Sequence, residues 1–225
     1  MQVMKFGGAA VRDAAAVQHL TQLAKCYLQE PLVVVVSAMD KTTNALEQLA
    51  MAAVAGDAAA AWARYEAIRR FHEGVMATLF TTPPPQVAIY FEELRDIVQG
   101  LLLLADAPPR IEDRILAYGE LCSSAIVQAG LVQAGLDVCS IDARTLIRTD
   151  ARHTRAEVLE SITETAIRQQ VRPEARTGRI VLTQGYIAST QDGHTTTLGR
   201  EGSDYTAALL GAALNATRVV VWKDV

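Results

Sequence analysis

Net charge, cysteine and long apolar runs are all scarce in this sequence, and each scarcity argues against a class of function. The formal charge is −4 at pH 7 and the arginines are scattered along the chain. A nucleic-acid partner needs a basic patch to hold a phosphate backbone, so none is expected. Three cysteines, Cys26, Cys122 and Cys139, occur without a CxxC spacing. That argues against a disulfide framework and a zinc site, and no metal ligands are nominated. All three stand in apolar surroundings, which predicts small buried thiols in a reducing compartment. The most apolar runs, Leu32 to Val36 and Leu101 to Ala105, are far too short to cross a bilayer, so no membrane partner is expected. The N-terminus runs from Met1 into a glycine pair without the apolar stretch of a signal peptide, which predicts a cytoplasmic location. His19, His72, His153 and His194 have no motif around them and read as surface or packing residues. No His-Asp or Cys-His dyad is legible, and no repeats or flexible linkers are seen.

What is present is apolar bulk arranged in α/β order. Half of the 225 residues are hydrophobic, enough for one large domain or two lobes. Val3 to Phe6 reads as a strand stopping at Gly7-Gly8, followed by a helix from about Val11 to Gln29 that Pro31 ends. Leu32 to Val36 is a β-branched run without alternation, as in a parallel strand covered on both faces. These pieces make a βαβ unit. From about Thr43 to Gly135, Pro83-Pro84-Pro85 and Pro108-Pro109 divide a helical region into about four helices. Its middle, about 56–109, carries no chemical motif and reads as a helical insertion. Strands are expected at Asp137 to Ile141, near Leu146 to Arg148, at Ile180 to Thr183, at Tyr186 to Ser189 and at Val219 to Trp222. Thr195 to Leu198 returns as a hairpin arm after the Gln191-Asp192-Gly193 turn. Helices are expected over about Arg155 to Gln170 and Ser203 to Leu214.

Several segments could carry chemistry. Lys5-Phe6-Gly7-Gly8 lies where the first strand ends, the usual ligand position in an open α/β sheet. Two glycines allow close backbone approach to a phosphate, a helix N-terminus favours an anion and Lys5 adds a charge. A plain tight turn with a solvated lysine is the other reading, and both stay open. The order is not that of a Walker A loop, because the lysine precedes the glycines. Ser37 follows the second strand, and the hydroxyls of Thr42-Thr43 stand where they can cap the next helix or meet a ligand. Glu120 sits in an otherwise apolar helix. A carboxylate there stands more often at the exposed helix edge than in a functional role, and a buried one would need a cation or an amine as partner. In the run Thr195 to Ala207, glycines flank Arg200-Glu201, Ser203 stands as an N-cap, and Asp204 falls in the first turn. Arg200 can grip a carboxylate bidentately. Lys223-Asp224 follows the last strand.

In order and type these segments resemble the aspartokinases of the amino acid kinase superfamily. Val3 to Gly8, Ser37-Ala38 with Thr43-Asn44, Gly119-Glu120, Thr183 to Ile187, Thr195 to Ala207 and Trp222 to Val225 all match, the Thr195 to Ala207 string most specifically. The resemblance implies an α/β three-layer αβα sandwich with a mostly parallel central sheet, carrying the helical insertion. It implies transfer of the ATP γ-phosphate to the side-chain carboxylate of L-aspartate, with Mg²⁺, at the head of the lysine, threonine and methionine pathway. Lys5 and Asp204 would be catalytic. Thr43, Glu120, Arg200 and Ser203 would hold aspartate. Lys5, Gly7, Gly8, Ser37, Lys223 and Asp224 would hold the nucleotide.

The chain also departs from the pattern. Ala9-Ala10 stands where Thr-Ser is common, Glu201 where Gly is frequent and Lys223 where Thr is frequent. The family continues past this point with the rest of the nucleotide site and regulatory ACT domains. The expectation is therefore one kinase domain over 1–225, cut at its C-terminal end and poorly active alone. Two alternatives remain: another amino acid kinase, acting on glutamate, acetylglutamate, carbamate or UMP, or a non-catalytic kinase-fold binding module. Whether the protein forms a homodimer is left open.

Overall fold

The computed structural model describes residues 1–223. The first strand, β1 (Gln2–Phe6), runs into a short 3-10 turn (Gly8–Val11) and then α1 (Ala14–Cys26) and β2 (Leu32–Val36). Four helices follow: α2 (Thr42–Val54), α3 (Ala58–Leu79), α4 (Pro85–Leu104) and α5 (Pro109–Gln133). The rest of the chain is β3 (Asp137–Ser140), α6 (Ala143–Leu146), β4 (Arg148–Thr149), α7 (Glu160–Gln170), β5 (Arg179–Gln184), β6 (Ile187–Thr190), β7 (Thr195–Thr197), α8 (Gly202–Leu214) and β8 (Arg218–Trp222).

Five of these strands form a parallel sheet in the order β3-β5-β2-β1-β8. β2 lies at its centre between β1 and β5, so every one of its five residues is buried. Successive side chains of a strand point to opposite faces. Met4, Phe6, Val34 and Val36 therefore join one core with α1 and α2 to α5, while Val3, Val33 and Val35 join another with α7 and α8. Helices cover both faces, and the three-layer αβα sandwich with a parallel central sheet is present. The β6–β7 hairpin and β4 form a small second sheet, with β6 antiparallel to β7 and parallel to β4. Pro85 and Pro109 occupy first helical positions, where a missing N–H costs nothing, and so divide the helical region at the expected places. The segment read as an insertion supplies α3 and α4. Their Tyr65, Ile68, Phe91 and Leu94 belong to the same apolar cluster as the sheet residues Met4 and Val34.

Other expectations fail for local reasons. The helix placed from Val11 begins at Ala14, because Asp13 is extended and its carboxylate accepts the Ala16 N–H at 2.8 Å. The strand near Leu146 is the end of α6 followed by a two-residue strand. The helix placed from Arg155 begins at Glu160, since Thr154 is left-handed (φ 68°) and Val158 bridges to Thr149. Of the cysteines only Cys122 is buried; Cys139 is half-buried and Cys26 exposed. Among the described residues α5 is the one helix long and apolar enough to cross a membrane, and most of it is buried inside the domain.

Gly185, between β5 and β6, shows how tightly α8 is seated. Its N–H donates to the Val36 carbonyl at 2.8 Å, and a Cβ there would lie 2.5 Å from the Ser203 Cβ and 2.8 Å from the Ser203 Cα. Gly185→Ala is expected to cost about 2–3 kcal/mol and lower Tm by roughly 5–10 °C. Thermal denaturation followed by circular dichroism checks this, and an unchanged Tm contradicts it.

Candidate active site

The parallel strands deliver their C-terminal ends to one edge of the sheet, where a cleft of about 1380 Å³ opens. It brings together Lys5, Gly8, Ser37, Thr43, Glu120, Arg200, Ser203, Asp204 and Lys223. Gly7 does not line it. Its N–H donates to the Trp222 carbonyl at 2.9 Å, so it extends the sheet and is not available to a phosphate. Gly8 is required for a different reason than ligand approach, since a Cβ there would lie 2.7 Å from the Asp40 carbonyl oxygen. The glycine pair opens the 3-10 turn and not α1, whose N-terminus is capped by Asp13. Asp224 lies outside the described residues.

At the floor of the cleft one carboxylate holds two ammonium groups. Lys5 is buried, with its Nζ 2.7 Å from Asp204 Oδ1, and Lys223 Nζ lies 2.8 Å from Asp204 Oδ2. Burial pushes the Asp204 carboxyl up, but hydrogen bonds and charge from Lys223 and Lys5 outweigh it and hold the group below its ordinary range. Phe6 and Trp222 stack with centroids 6.0 Å apart, aligning the ends of β1 and β8 and with them the two lysines. The trio carries one net positive charge.

Glu120 forms part of the wall. Contrary to the helix-edge expectation it is only 2% exposed. One carboxylate oxygen, Oε1, accepts the Ala38 N–H at 3.0 Å, and the other, Oε2, has no hydrogen-bond partner among the described residues. Burial pushes its pKa up to about 8, against the opposing pull of the Ala38 N–H and the Lys5 charge. The neighbouring Gly119 lets α5 ride directly on the loop after β2, because a Cβ there would lie 2.8 Å from that of Ala38.

The Arg200 loop is built by backbone conformation. Gly199 (φ 71°) and Glu201 (φ 58°) are both left-handed, which turns the chain sharply and leaves Arg200 exposed at the cleft. Gly202 is needed because a Cβ would lie 2.9 Å from the Tyr186 ring. Ser203 is not the N-cap; Glu201 holds that position, and Ser203 is buried in the first turn. Capping also fails at α2. Its N-cap is Lys41, and the Thr42 hydroxyl donates to the Met39 carbonyl at 2.6 Å, leaving Thr43 to line the cleft. Asp40, Thr154, Tyr186 and Glu201, non-glycine residues with positive φ, all line this cleft, so backbone strain concentrates there.

The sequence reading missed Asp113, His153, Thr154 and Arg155. His153 Nδ1 lies 2.8 Å from Asp113 Oδ2, a His-Asp pair that the sequence hides because its members are 40 residues apart. One signal was available: Asp113 precedes Glu120 by two helical turns in an apolar helix, which places both on one face. Among the described residues no group of three His, Cys, Asp or Glu side chains could hold a metal ion.

The sequence pattern of the amino acid kinase family matches residues 1–225. The chain is 35% identical over 229 residues to the lysine-sensitive aspartokinase 3 of Escherichia coli (strain K12), covering 99% of this chain and 49% of that protein. It is 31% identical over 228 residues to the chloroplastic aspartokinase 1 of Arabidopsis thaliana, covering 99% of this chain and 40% of that one. The crystal structure of E. coli aspartokinase III in complex with aspartate and ADP superposes with a TM-score of 0.91 at 31% identity, over all of this chain and 49% of that one. The chain thus spans about half the length of the curated relatives it matches, or less.

Glu120 makes stability depend on pH. Its carboxyl titrates near 4.5 in the ordinary state and near 8 in the fold. Between these values the folded state keeps a proton that the unfolded state releases, so stability falls as pH rises from 4.5 to 8 and levels off above. Glu120→Gln cannot ionise and lacks this fall. Urea denaturation between pH 5 and pH 9 is expected to show wild type losing on the order of a few kcal/mol relative to the variant. Parallel curves for the two proteins would contradict the assigned environment.

Proposed function

The chain belongs to the amino acid kinase family, and from that premise we propose that its cleft takes L-aspartate beside the triphosphate of ATP. The protein transfers the γ-phosphate to the side-chain carboxylate, giving 4-phospho-L-aspartate, the first step toward lysine, threonine and methionine. Its relatives are named aspartokinases, and a structural neighbour was crystallised with aspartate and ADP. The observation that carries the reading is the bare Glu120 Oε2 in the wall of a cleft that also presents Arg200 and the Lys5–Asp204–Lys223 centre. A buried carboxyl oxygen without a partner suits an ammonium against which it can ionise, a guanidinium with no ion-pair partner among the described residues suits a carboxylate, and two lysines on one carboxylate suit a phosphate.

The residues divide the work accordingly. The reacting carboxylate is ionised at neutral pH, so it needs no strong general base. The difficulty is bringing an anion up to a polyanion, and it is met by positioning and positive charge. Glu120 and Arg200 fix the amino acid's ammonium and its non-reacting carboxylate, with Thr43 and Ser203 beside them. Lys5 and Lys223 stand where charge builds on the transferring group, and Asp204 keeps both ammonium groups in place. Gly8 and Ser37 line the phosphate end. Mg²⁺ keeps several waters and is held largely by phosphates with one or two carboxylates. It would enter with the nucleotide, with Asp204 an acidic side chain at that end, and would supply charge neutralisation on the phosphates. The Asp224 contribution to the nucleotide site is part of the same proposal.

Isothermal titration with L-aspartate tests the substrate assignment. Removing a charge-assisted contact is worth about 1.5–3 kcal/mol, so Arg200→Ala and Glu120→Gln should each weaken aspartate binding roughly 10- to 100-fold. Trapping of the acyl phosphate by hydroxylamine, on the intact protein, should show Lys5→Ala losing at least about 100-fold in kcat with a smaller change in aspartate affinity. Wild-type protein that neither binds aspartate nor yields the hydroxamate overturns the proposal.

A further inference from the structure

We infer that Asp113 is a positioning residue that joins two loops so that Arg155 stands beside Arg200, giving the cleft a second guanidinium for the substrate's non-reacting carboxylate. The substrate half of this inference rests on the function proposed above. Asp113 itself does not line the cleft; it lies fully buried on α5, two turns before Glu120. Its carboxylate gathers contacts from two directions. From one loop, the Thr154 N–H lies 3.0 Å from each oxygen, and His153 Nδ1 lies 2.8 Å from Oδ2. From the other, the Thr197 hydroxyl donates to Oδ1 at 2.6 Å.

Each loop leads directly to an arginine at the cleft: Thr154 to Arg155, and Thr197 through Leu198 and Gly199 to Arg200. The loops also touch each other. The Ala156 N–H donates to the Thr197 carbonyl at 3.3 Å, and a Cβ on Gly199 would lie 3.7 Å from the Thr154 carbonyl oxygen. Among the described residues neither arginine has an ion-pair partner, although other arginines along the chain are paired with carboxylates. Two unpaired guanidinium groups at one cleft, on loops fastened by one buried carboxylate, are suited to an anionic group between them.

The backbone gives the second argument. Thr154 is β-branched and left-handed, a conformation that persists only where surrounding contacts over-determine it. Asp113 supplies those contacts at the residue preceding Arg155.

The test compares Arg155→Gln, Asp113→Asn and the double variant in the intact protein, by steady-state kinetics. Arg155→Gln should raise the KM for the amino acid about 10-fold or more, leaving the KM for ATP within about twofold and kcat within about threefold. Asp113→Asn should shift the same constant in the same direction. The double variant should fall short of the product of the two single effects, because the two residues act through one placement. Adding Thr154→Gly to Asp113→Asn, which removes the φ penalty, should recover roughly threefold or more of the lost affinity. An unchanged amino acid KM in Arg155→Gln overturns the inference. So does an Asp113→Asn protein whose Tm falls while both KM values stay put or move together.

His153→Phe removes one contact of the clamp at a less buried position and covers the case in which Asp113→Asn does not fold. It should raise the amino acid KM about two- to fivefold, and no rise counts against the clamp. The clamp can also be measured without substrate. Asp113→Asn should speed amide exchange across residues 152–156 by roughly tenfold or more while the β1 and β2 amides hold. Equal exchange in variant and wild type overturns it. Failure of wild type to bind aspartate would instead overturn the substrate reading and leave the exchange result standing.

Discussion

The hydrogen bond from the Ala38 N–H to Glu120 fastens α5 to the end of β2, and it does so with a group that the interior tolerates poorly when charged. A buried carboxylate with one oxygen bonded and the other bare either keeps its proton or finds a cation. Lys5 is near enough to pull on it, but the Lys5 ammonium is already held by Asp204. The empty cleft therefore favours the protonated form of Glu120, and an arriving ammonium would complete the wall. A residue that weakens the fold at neutral and alkaline pH is thus the one to which the proposed function gives the substrate's ammonium.

Charge elsewhere in the cleft is distributed on the same principle of deliberate incompleteness. Asp204 restrains two lysines without neutralising both. Asp113 is fully satisfied by the loops it joins and is withdrawn from the cleft, while Arg155 and Arg200 have no ionic partners among the described residues. Positions that would otherwise be relaxed are strained, with Asp40, Thr154, Tyr186 and Glu201 in left-handed conformations around the same space. A parallel sheet makes this economical, because one edge receives the ends of β1, β2, β5 and β8 together.

Legibility followed the range of the forces involved. Leu32 to Val36 could be bounded as a strand from sequence because burial on both faces leaves an unbroken β-branched run. Proline marked the starts of α4 and α5 because its missing N–H acts locally. Local rules misled where tertiary contacts won. Ser203 resembles an N-cap, yet left-handed Glu201 takes the position, and the Gly7 N–H belongs to the sheet through Trp222. Residue type alone favours an exposed edge for Glu120, because a sequence cannot show that Gly119 brings the helix against Ala38. Asp113 and its loop were invisible as a unit, since their meaning lies in contacts about 40 and 84 residues away along the chain.

Proton release on aspartate binding tests the central claim most directly. Calorimetric titrations at pH 7 in buffers of different ionisation enthalpy report the protons exchanged per ligand bound. With Glu120 protonated in the empty cleft and ionised against the substrate ammonium, the account predicts release of close to one proton per aspartate, lost in Glu120→Gln. Tight aspartate binding with no proton released, or with release unchanged in Glu120→Gln, would contradict it.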